Sequence, residues 1–204
     1  MARKIIGLGG DGKLVLSLPG GRIEPLPAPD RSHAFLLIDC SSSMSGSKIT
    51  QATEGALAFT EDALRKQYSI GLITFASKAE ILCPTEDNLS IIASKAQRLT
   101  ASGSTNMTDG IERAASELKG IAGVRAIIIV TDGMPDNPGT ALQAARRAKE
   151  SGIDIIAIGT DDADQAFLRQ IVSRSELAVK VARTELQSGV AGAAKLLPSA
   201  TRAR

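Results

Sequence analysis

The chain has 204 residues, of which 43% are hydrophobic and 23% charged, and its formal net charge at pH 7 is +2. This composition argues against disorder, and the length suits one α/β domain rather than two. The small net charge, spread along the chain, and an aromatic content of only 2% argue against nucleic-acid binding. No apolar run approaches the roughly 20 residues of a membrane span, and the N-terminal run is too short for a signal peptide. We therefore predict a cytoplasmic protein without membrane contact.

Residues 1–33 differ in pattern from the rest of the chain. Here KIIGL and KLVLSL flank the turn sequence GGDG, which is typical of a β-hairpin. The stretch GRIEPLPAPD that follows predicts an extended, Pro-rich linker. We therefore predict an N-terminal hairpin and linker over residues 1–33, the main α/β domain over 34–198, and a basic tail over 199–204.

From residue 34 onward, short β-branched runs alternate with helical patterns, which predicts a doubly wound sheet with helices on both faces. Four of the six predicted strands are apolar on both faces, as burial within a parallel sheet requires. The third follows the second after too few residues for a crossover helix, so we expect it to pair antiparallel at one edge. The six predicted strands are residues 34–39, 69–75, 79–83, 125–131, 154–158 and 177–181.

Helical patterns occupy most of the segments between these strands. Gly120 and Gly152 are suited to end helices, while Asn88 and Asp162 are suited to cap helix starts. Asp161 and Asp164 are interpreted with Asp162 as cap and first-turn charges rather than as a second metal site. The predicted helices are residues 48–66, 89–99, 107–118, 140–151, 163–172 and 184–197.

Three oxygen-rich turns lie beside apolar runs. The first is DCSSSM after AFLLI, the second is GSTNM, and the third closes AIIIVTD. Hydroxyls and carboxylates without His or Cys select a hard cation, Mg²⁺ first, then Mn²⁺ or Ca²⁺. Taken singly, each residue is better explained as a helix cap or turn residue than as a metal ligand. Their order and strand context together predict one metal site, with these ligands: Asp39, Ser41, Ser43, Thr105 and Asp132.

With these five residues the sequence resembles the von Willebrand factor A (VWA) domain, and they match its metal-ion-dependent adhesion site (MIDAS) one by one. The resemblance extends over residues 34–198 and implies a sheet order of 3-2-1-4-5-6 with the short edge strand antiparallel. In that order the strands that end at Asp39 and Asp132 are neighbours at the switch point, where open α/β sheets bind ligands. Ser42 departs from the common DxSGSM pattern; it changes no ligand, but we expect it to stiffen the loop.

The ligand set predicts how the site works. Three of the five ligands are neutral hydroxyls, and if Asp39 and Asp132 act partly through bound water, a divalent ion keeps positive charge on its open face. An Asp or Glu from a partner protein is the natural ligand for that position. The resemblance implies the same chemistry, because the family includes integrin-type adhesion domains and bacterial intracellular relatives that pair with AAA ATPases. We therefore predict a metal-dependent protein-interaction module, with an AAA ATPase or a signalling complex as candidate partner.

We assign partner specificity to residues expected at the rim of the crevice. These residues come from the end of the serine turn DCSSSM and from the segment that follows Asp132. The predicted rim residues are Met44, Met134, Pro135, Asp136 and Asn137.

A second functional class is a Mg²⁺-dependent phosphoryl-transfer or phosphatase enzyme, because a carboxylate and hydroxyls around Mg²⁺ at strand ends also suit that chemistry. The absence of a second carboxylate next to Asp39 and of a paired lysine in a matching loop weakens this interpretation. No nucleophile with a general base is apparent near the cation. We therefore predict no catalytic residues and no enzymatic activity.

Overall fold

The computed structural model describes residues 5–8, 14–17, 23–25 and 31–198, and the chain divides into two units, residues 1–30 and 31–204. In the first unit, β1 (Ile5–Leu8), β2 (Leu14–Ser17) and β3 (Ile23–Pro25) form an antiparallel sheet in that order. The predicted hairpin corresponds to β1 and β2. The prediction of an extended linker was wrong for β3, a three-residue edge strand that ends at a proline, as edge strands permit. The predicted basic tail lies outside the described residues.

The second unit contains a six-stranded sheet in the order β6-β5-β4-β7-β8-β9, which confirms the predicted order. All neighbouring strands are parallel except β5 and β6, which are antiparallel. The first strand of this six-stranded sheet begins at Ser32, two residues before the predicted start of the domain at residue 34. The strands are β4 (Ser32–Asp39), β5 (Tyr68–Phe75), β6 (Ala79–Glu86), β7 (Arg125–Thr131), β8 (Ile153–Gly159) and β9 (Ala178–Lys180).

Helices cover both faces of this sheet. One group consists of α1 packed against α2 and α6, and the other of α3, α4 and α5 in sequence. Asn88 caps α2 as predicted, but the cap of α5 is Asp164 rather than Asp162. No helix in the described ranges is long and apolar enough to cross a membrane. The helices are α1 (Ser47–Arg65), α2 (Leu89–Ala96), α3 (Met107–Glu117), α4 (Pro138–Glu150), α5 (Gln165–Ile171) and α6 (Leu186–Gly192).

The core lies on both faces of the central strands. The described residues of β4, β7 and β8 are almost all buried, which explains their continuous apolar sequences. Strand β4 packs closely on β5, because Phe35 lies opposite Gly71, where a β-carbon would come within 2.2 Å of the Phe35 ring. Strand β4, buried except at His33, therefore fixes the position of the residues that follow its carboxyl end.

Candidate metal centre

Two aspartates lie at the carboxyl ends of neighbouring strands. Asp39 is the last residue of β4, and Asp132 follows β7 directly. Because β4 and β7 are parallel, with Ile38 opposite Val130, both carboxylates reach the same edge of the sheet. Both residues are almost completely buried, with relative exposures of 0% and 2%. The predicted site therefore lies at the switch point of the sheet.

Both carboxylate oxygens of Asp39 accept hydrogen bonds. The Ser41 backbone N–H donates to Oδ1 at 2.8 Å, and Thr131 Oγ1 donates to Oδ2 at 2.6 Å. Burial raises the pKa of Asp39; the hydrogen bonds from Thr131 and Ser41 oppose that rise, and the charge of Asp132 adds to it. A bound cation would therefore stabilise the ionised form of Asp39. The sequence analysis did not include Thr131, whose hydroxyl holds this carboxylate in place.

The two predicted serine ligands extend the oxygen cluster to Asp132. Their hydroxyls, Ser41 Oγ and Ser43 Oγ, are 3.0 Å apart, and Ser43 Oγ donates to Asp132 Oδ1 at 2.8 Å. A 3₁₀ turn at Ser42–Met44 brings them together, and Gly46, with a φ of 77°, allows the chain to turn into α1. Ser41 is buried and Ser43 is exposed, so the cluster opens to solvent on the Ser43 side. Four of the five predicted ligands thus lie together.

The loop that carries Thr105 is attached to the serine turn. Both the backbone N–H and the hydroxyl of Ser42 donate to the Gly103 carbonyl, at 3.1 and 3.0 Å. The Ser42 hydroxyl thus adds an attachment that a glycine at this position could not make. Thr105 contacts Asp136, donating its N–H to Oδ1 at 3.0 Å and accepting from the Asp136 N–H at 3.0 Å. The Thr105 hydroxyl makes no hydrogen bond within the described residues, so its role as a metal ligand stays a prediction.

The structure corrects the predicted rim of the crevice. Met44 has a relative exposure of 0%, because the 3₁₀ turn directs its apolar side chain into the core, and Pro135 is also buried. The assignment of these two residues to a partner-binding rim was therefore wrong. Met134, with 42% exposure, is accessible, as are Asp136 and Asn137. Asn137 also caps α4 with its side chain, so it has a structural role as well.

A buried lysine lies beside the predicted ligands, and the sequence analysis missed it. Lys48, in the first turn of α1, is 8% exposed, and its Nζ donates to Asp132 Oδ2 at 2.5 Å and to Asp162 Oδ2 at 3.0 Å. The Arg183 guanidinium donates to the same Asp162 oxygen at 2.6 Å. Asp162, predicted as a helix cap, is therefore an ion-pair partner instead. The sequence analysis considered only a paired lysine in a loop, whereas the lysine that contacts the site lies on helix α1.

The surroundings of Lys48 keep its ammonium charged. Burial by itself lowers the pKa of Lys48, but hydrogen bonds and charge attraction from Asp132 and Asp162 outweigh that effect and raise the pKa above its ordinary value. The pKa of Asp162 is lowered, first by the hydrogen bond from Lys48 and then by that from Arg183. Lys48 is consequently protonated at neutral pH, and its ammonium places a fixed positive charge next to Asp132 Oδ2.

The donor set fits a hard divalent cation. Two carboxylates and two serine hydroxyls form one hydrogen-bonded cluster at the edge of the sheet. Within the described part of the chain, no three His, Cys, Asp or Glu side chains group together as a metal site. Any cation in this cluster would therefore need hydroxyl ligands beside the carboxylates. Such oxygen-only sets favour Mg²⁺, Mn²⁺ or Ca²⁺ over metals that prefer nitrogen or sulfur.

The fold is that of a VWA domain. The model of the von Willebrand factor type A domain family matches residues 35–190, so the chain belongs to that family. It is 30% identical over 166 residues to inter alpha-trypsin inhibitor heavy chain 4 of Mus musculus, a match covering 72% of this chain and 17% of the relative. It is 29% identical over 159 residues to the uncharacterized protein YfbK of Escherichia coli, covering 72% and 27%. The chain thus corresponds to less than a third of either relative.

Solved structures show the same fold at low sequence identity. The vWF domain of the pili tip protein Mfa5 from Porphyromonas gingivalis gives a TM-score of 0.74 at 15% identity, covering 83% of this chain and 95% of that one. Mussel byssus proximal thread matrix protein 1 with a zinc-occupied MIDAS motif gives 0.68 at 20% identity, covering 82% and 46%. Manganese-loaded TRAP protein from Plasmodium vivax gives 0.67 at 19% identity, covering 79% and 72%. Two of these three structures therefore carry a divalent metal.

Proposed function

We propose that this chain is a metal-dependent, non-enzymatic protein-binding module. In this proposal it holds one divalent cation, Mg²⁺ first, and captures an Asp or Glu side chain of a partner protein. The observation that carries the proposal is the continuous cluster of side-chain oxygens from Asp39 to Asp132, buried at one end and open to solvent at Ser43. The proposed ligands are Asp39, Ser41, Ser43, Thr105 and Asp132.

The charge distribution supports capture of a carboxylate. When bound, the cation supplies an electrophilic centre that accepts one further oxygen ligand. The protein supplies the oxygens on one side only, because Asp39, Ser41 and Asp132 are buried while Ser43 faces solvent. A partner's carboxylate approaching from the solvent side would complete the set. The zinc and manganese that two structural relatives carry support a divalent ion in this family. The AAA ATPase as partner is supported by the family resemblance alone.

The carboxylate step can be tested with acetate. Protein-bound Mn²⁺ relaxes the protons of water molecules that it coordinates, so replacing a coordinated water by a carboxylate lowers the water proton relaxation rate. We expect acetate to lower this rate in the Mn²⁺-loaded protein, and acetamide, which has the same shape without the charge, to have no such effect. Equal responses to acetate and acetamide, or none to either, would contradict carboxylate capture.

The phosphatase alternative gains one observation from the structure, since Lys48 contacts the site aspartate Asp132. The contacts of that lysine argue against catalysis, however, because its ammonium is held by two carboxylates and is 8% exposed. An assay of p-nitrophenyl phosphate hydrolysis with Mg²⁺ separates the classes: Mg²⁺-dependent turnover that disappears in Asp39→Ala would favour the enzyme.

A further inference from the structure

The ammonium of Lys48 and the predicted cation position lie on opposite sides of one carboxylate. Asp132 Oδ1 accepts from Ser43 Oγ at 2.8 Å, whereas Asp132 Oδ2 accepts from Lys48 Nζ at 2.5 Å. The lysine therefore contacts the Asp132 oxygen that Ser43 does not contact. Because Lys48 contacts Oδ2, it leaves Oδ1 available to a cation.

The lysine is held in this position from two directions. It lies on the buried face of α1 together with Ala52 and Ala56, which fixes its stem. Its ammonium is bound from the other side by Asp162, and Asp162 is in turn bound by Arg183. Asp132 and Asp162 thus share the charge of Lys48, while Arg183 balances part of the charge of Asp162. The result is a fixed positive charge next to one of the two metal-binding carboxylates.

This fixed charge changes the electrostatic balance of the cluster. Asp39 and Asp132 together carry two negative charges, which alone would neutralise a divalent ion. Because Arg183 balances part of the charge of Asp162, the Lys48 ammonium reduces that total towards one, so a bound divalent ion keeps up to about one net positive charge within the buried part of the site. Charges a few ångströms apart in a partly buried site change binding constants by more than tenfold. A centre with residual positive charge binds its cation less tightly and an external carboxylate more tightly.

We propose that the Lys48 ammonium sets the net charge of the metal centre. It lowers the affinity of the protein for the cation and raises the affinity of the cation-loaded site for a partner's carboxylate. This inference rests on the proposed function, since it concerns the same site. It makes Lys48 a positioning and charge-setting residue rather than a ligand. A purely structural role, in which Lys48 only orients Asp132, predicts the opposite result for cation binding, because losing that orientation would weaken it.

Two substitutions of Lys48 separate charge from hydrogen bonding. Lys48→Gln removes the charge and keeps an N–H donor, whereas Lys48→Arg keeps both and serves as the matched control. Binding of Mn²⁺ alone is followed by electron paramagnetic resonance of the free ion, and acetate binding by water proton relaxation. We expect Lys48→Gln to bind Mn²⁺ at least about tenfold more tightly than wild type and the loaded variant to bind acetate more weakly. Lys48→Arg should stay near wild type. Unchanged or weaker Mn²⁺ binding in Lys48→Gln would overturn the inference.

A variant on the exposed side keeps the test decisive if Lys48→Gln does not fold. Asp162 has a side-chain exposure of 44%, so Asp162→Asn changes no core packing. The substitution removes one of the two carboxylate charges that face the Lys48 ammonium, so more of the positive charge of Lys48 acts on Asp132. Mn²⁺ binding should then weaken and acetate binding should strengthen. Unchanged or tighter Mn²⁺ binding in Asp162→Asn would overturn the inference. Failure of the proposed function is distinguishable, because wild type itself would then not bind Mn²⁺, or Asp39→Ala would bind it equally well.

Discussion

Saturating Mg²⁺ or Mn²⁺ is expected to raise the stability of the protein, and Asp39→Ala is expected to abolish the effect. A ligand that binds only the folded state adds about 2.7 kcal/mol to the free energy of unfolding at 100 times its Kd. For a chain of this size that corresponds to a rise in Tm of roughly 5–10 °C. The physical reason is that Asp39 and Asp132 are buried close together, so a cation removes an unfavourable interaction that only the folded protein has.

Thermal unfolding with Mg²⁺, with Mn²⁺ and with EDTA measures this effect. Glu117→Ala is the control, because Glu117 is an exposed carboxylate on α3 that makes no ion pair in the described ranges. That variant should keep the full metal-induced shift. Asp39→Ala should show none, whatever its stability in EDTA. A metal-induced shift of the same size in Asp39→Ala would place the cation elsewhere on the protein.

Thr105→Ala is expected to weaken metal binding without weakening the fold. Thr105 lies in a partly exposed loop, and its hydroxyl makes no hydrogen bond among the described residues, so its removal opens no core cavity and breaks no hydrogen bond among them. If the hydroxyl is a ligand, Mn²⁺ affinity should fall by something like 10- to 100-fold, by analogy with the effect of losing groups that support metal ligands. Acetate binding at a fixed Mn²⁺ concentration should fall with it.

The control for this prediction is Thr108→Ala, on the first turn of α3. Its hydroxyl lies 2.8 Å from that of Thr140 and makes no hydrogen bond to the predicted ligands among the described residues, so its loss should leave Mn²⁺ binding unchanged. Urea denaturation in EDTA should give both variants a free energy of unfolding close to that of wild type. A folded Thr105→Ala protein that binds Mn²⁺ as tightly as wild type would remove Thr105 from the ligand set.

The sheet order was predicted from the family resemblance, whereas the strands and the antiparallel edge pairing could be predicted from local signals. Apolar runs such as residues 126–130 are typical of strands inside a parallel sheet, and the short connection after Phe75 requires an antiparallel neighbour. Strand ends were less predictable. Strand β6 continues past Pro84 to Glu86, because an edge strand with irregular register tolerates a proline that a central strand would not.

Most of the cluster could be predicted because its residues follow directly from strand ends, where position along the chain fixes position in space. Lys48 was missed because its role depends on a contact made by a helix face. Its spacing from Ala52 and Ala56 did place it on the apolar side of α1, and that signal could have identified a buried lysine. Met44 and Pro135 were assigned wrongly because the direction of a side chain in a tight turn depends on backbone angles that the sequence pattern does not show.

A titration of the metal-free protein with Mn²⁺, followed by electron paramagnetic resonance of the free ion, tests the central claim most directly. The oxygen cluster from Asp39 to Asp132 predicts one bound Mn²⁺ per chain, displaced by excess Mg²⁺ and lost in Asp39→Ala. The free Mn²⁺ signal should therefore stay low until one equivalent has been added to wild type and should rise from the first addition in the variant. A wild-type protein whose free Mn²⁺ signal rises from the first addition, or an Asp39→Ala protein that still binds one equivalent, would contradict the account.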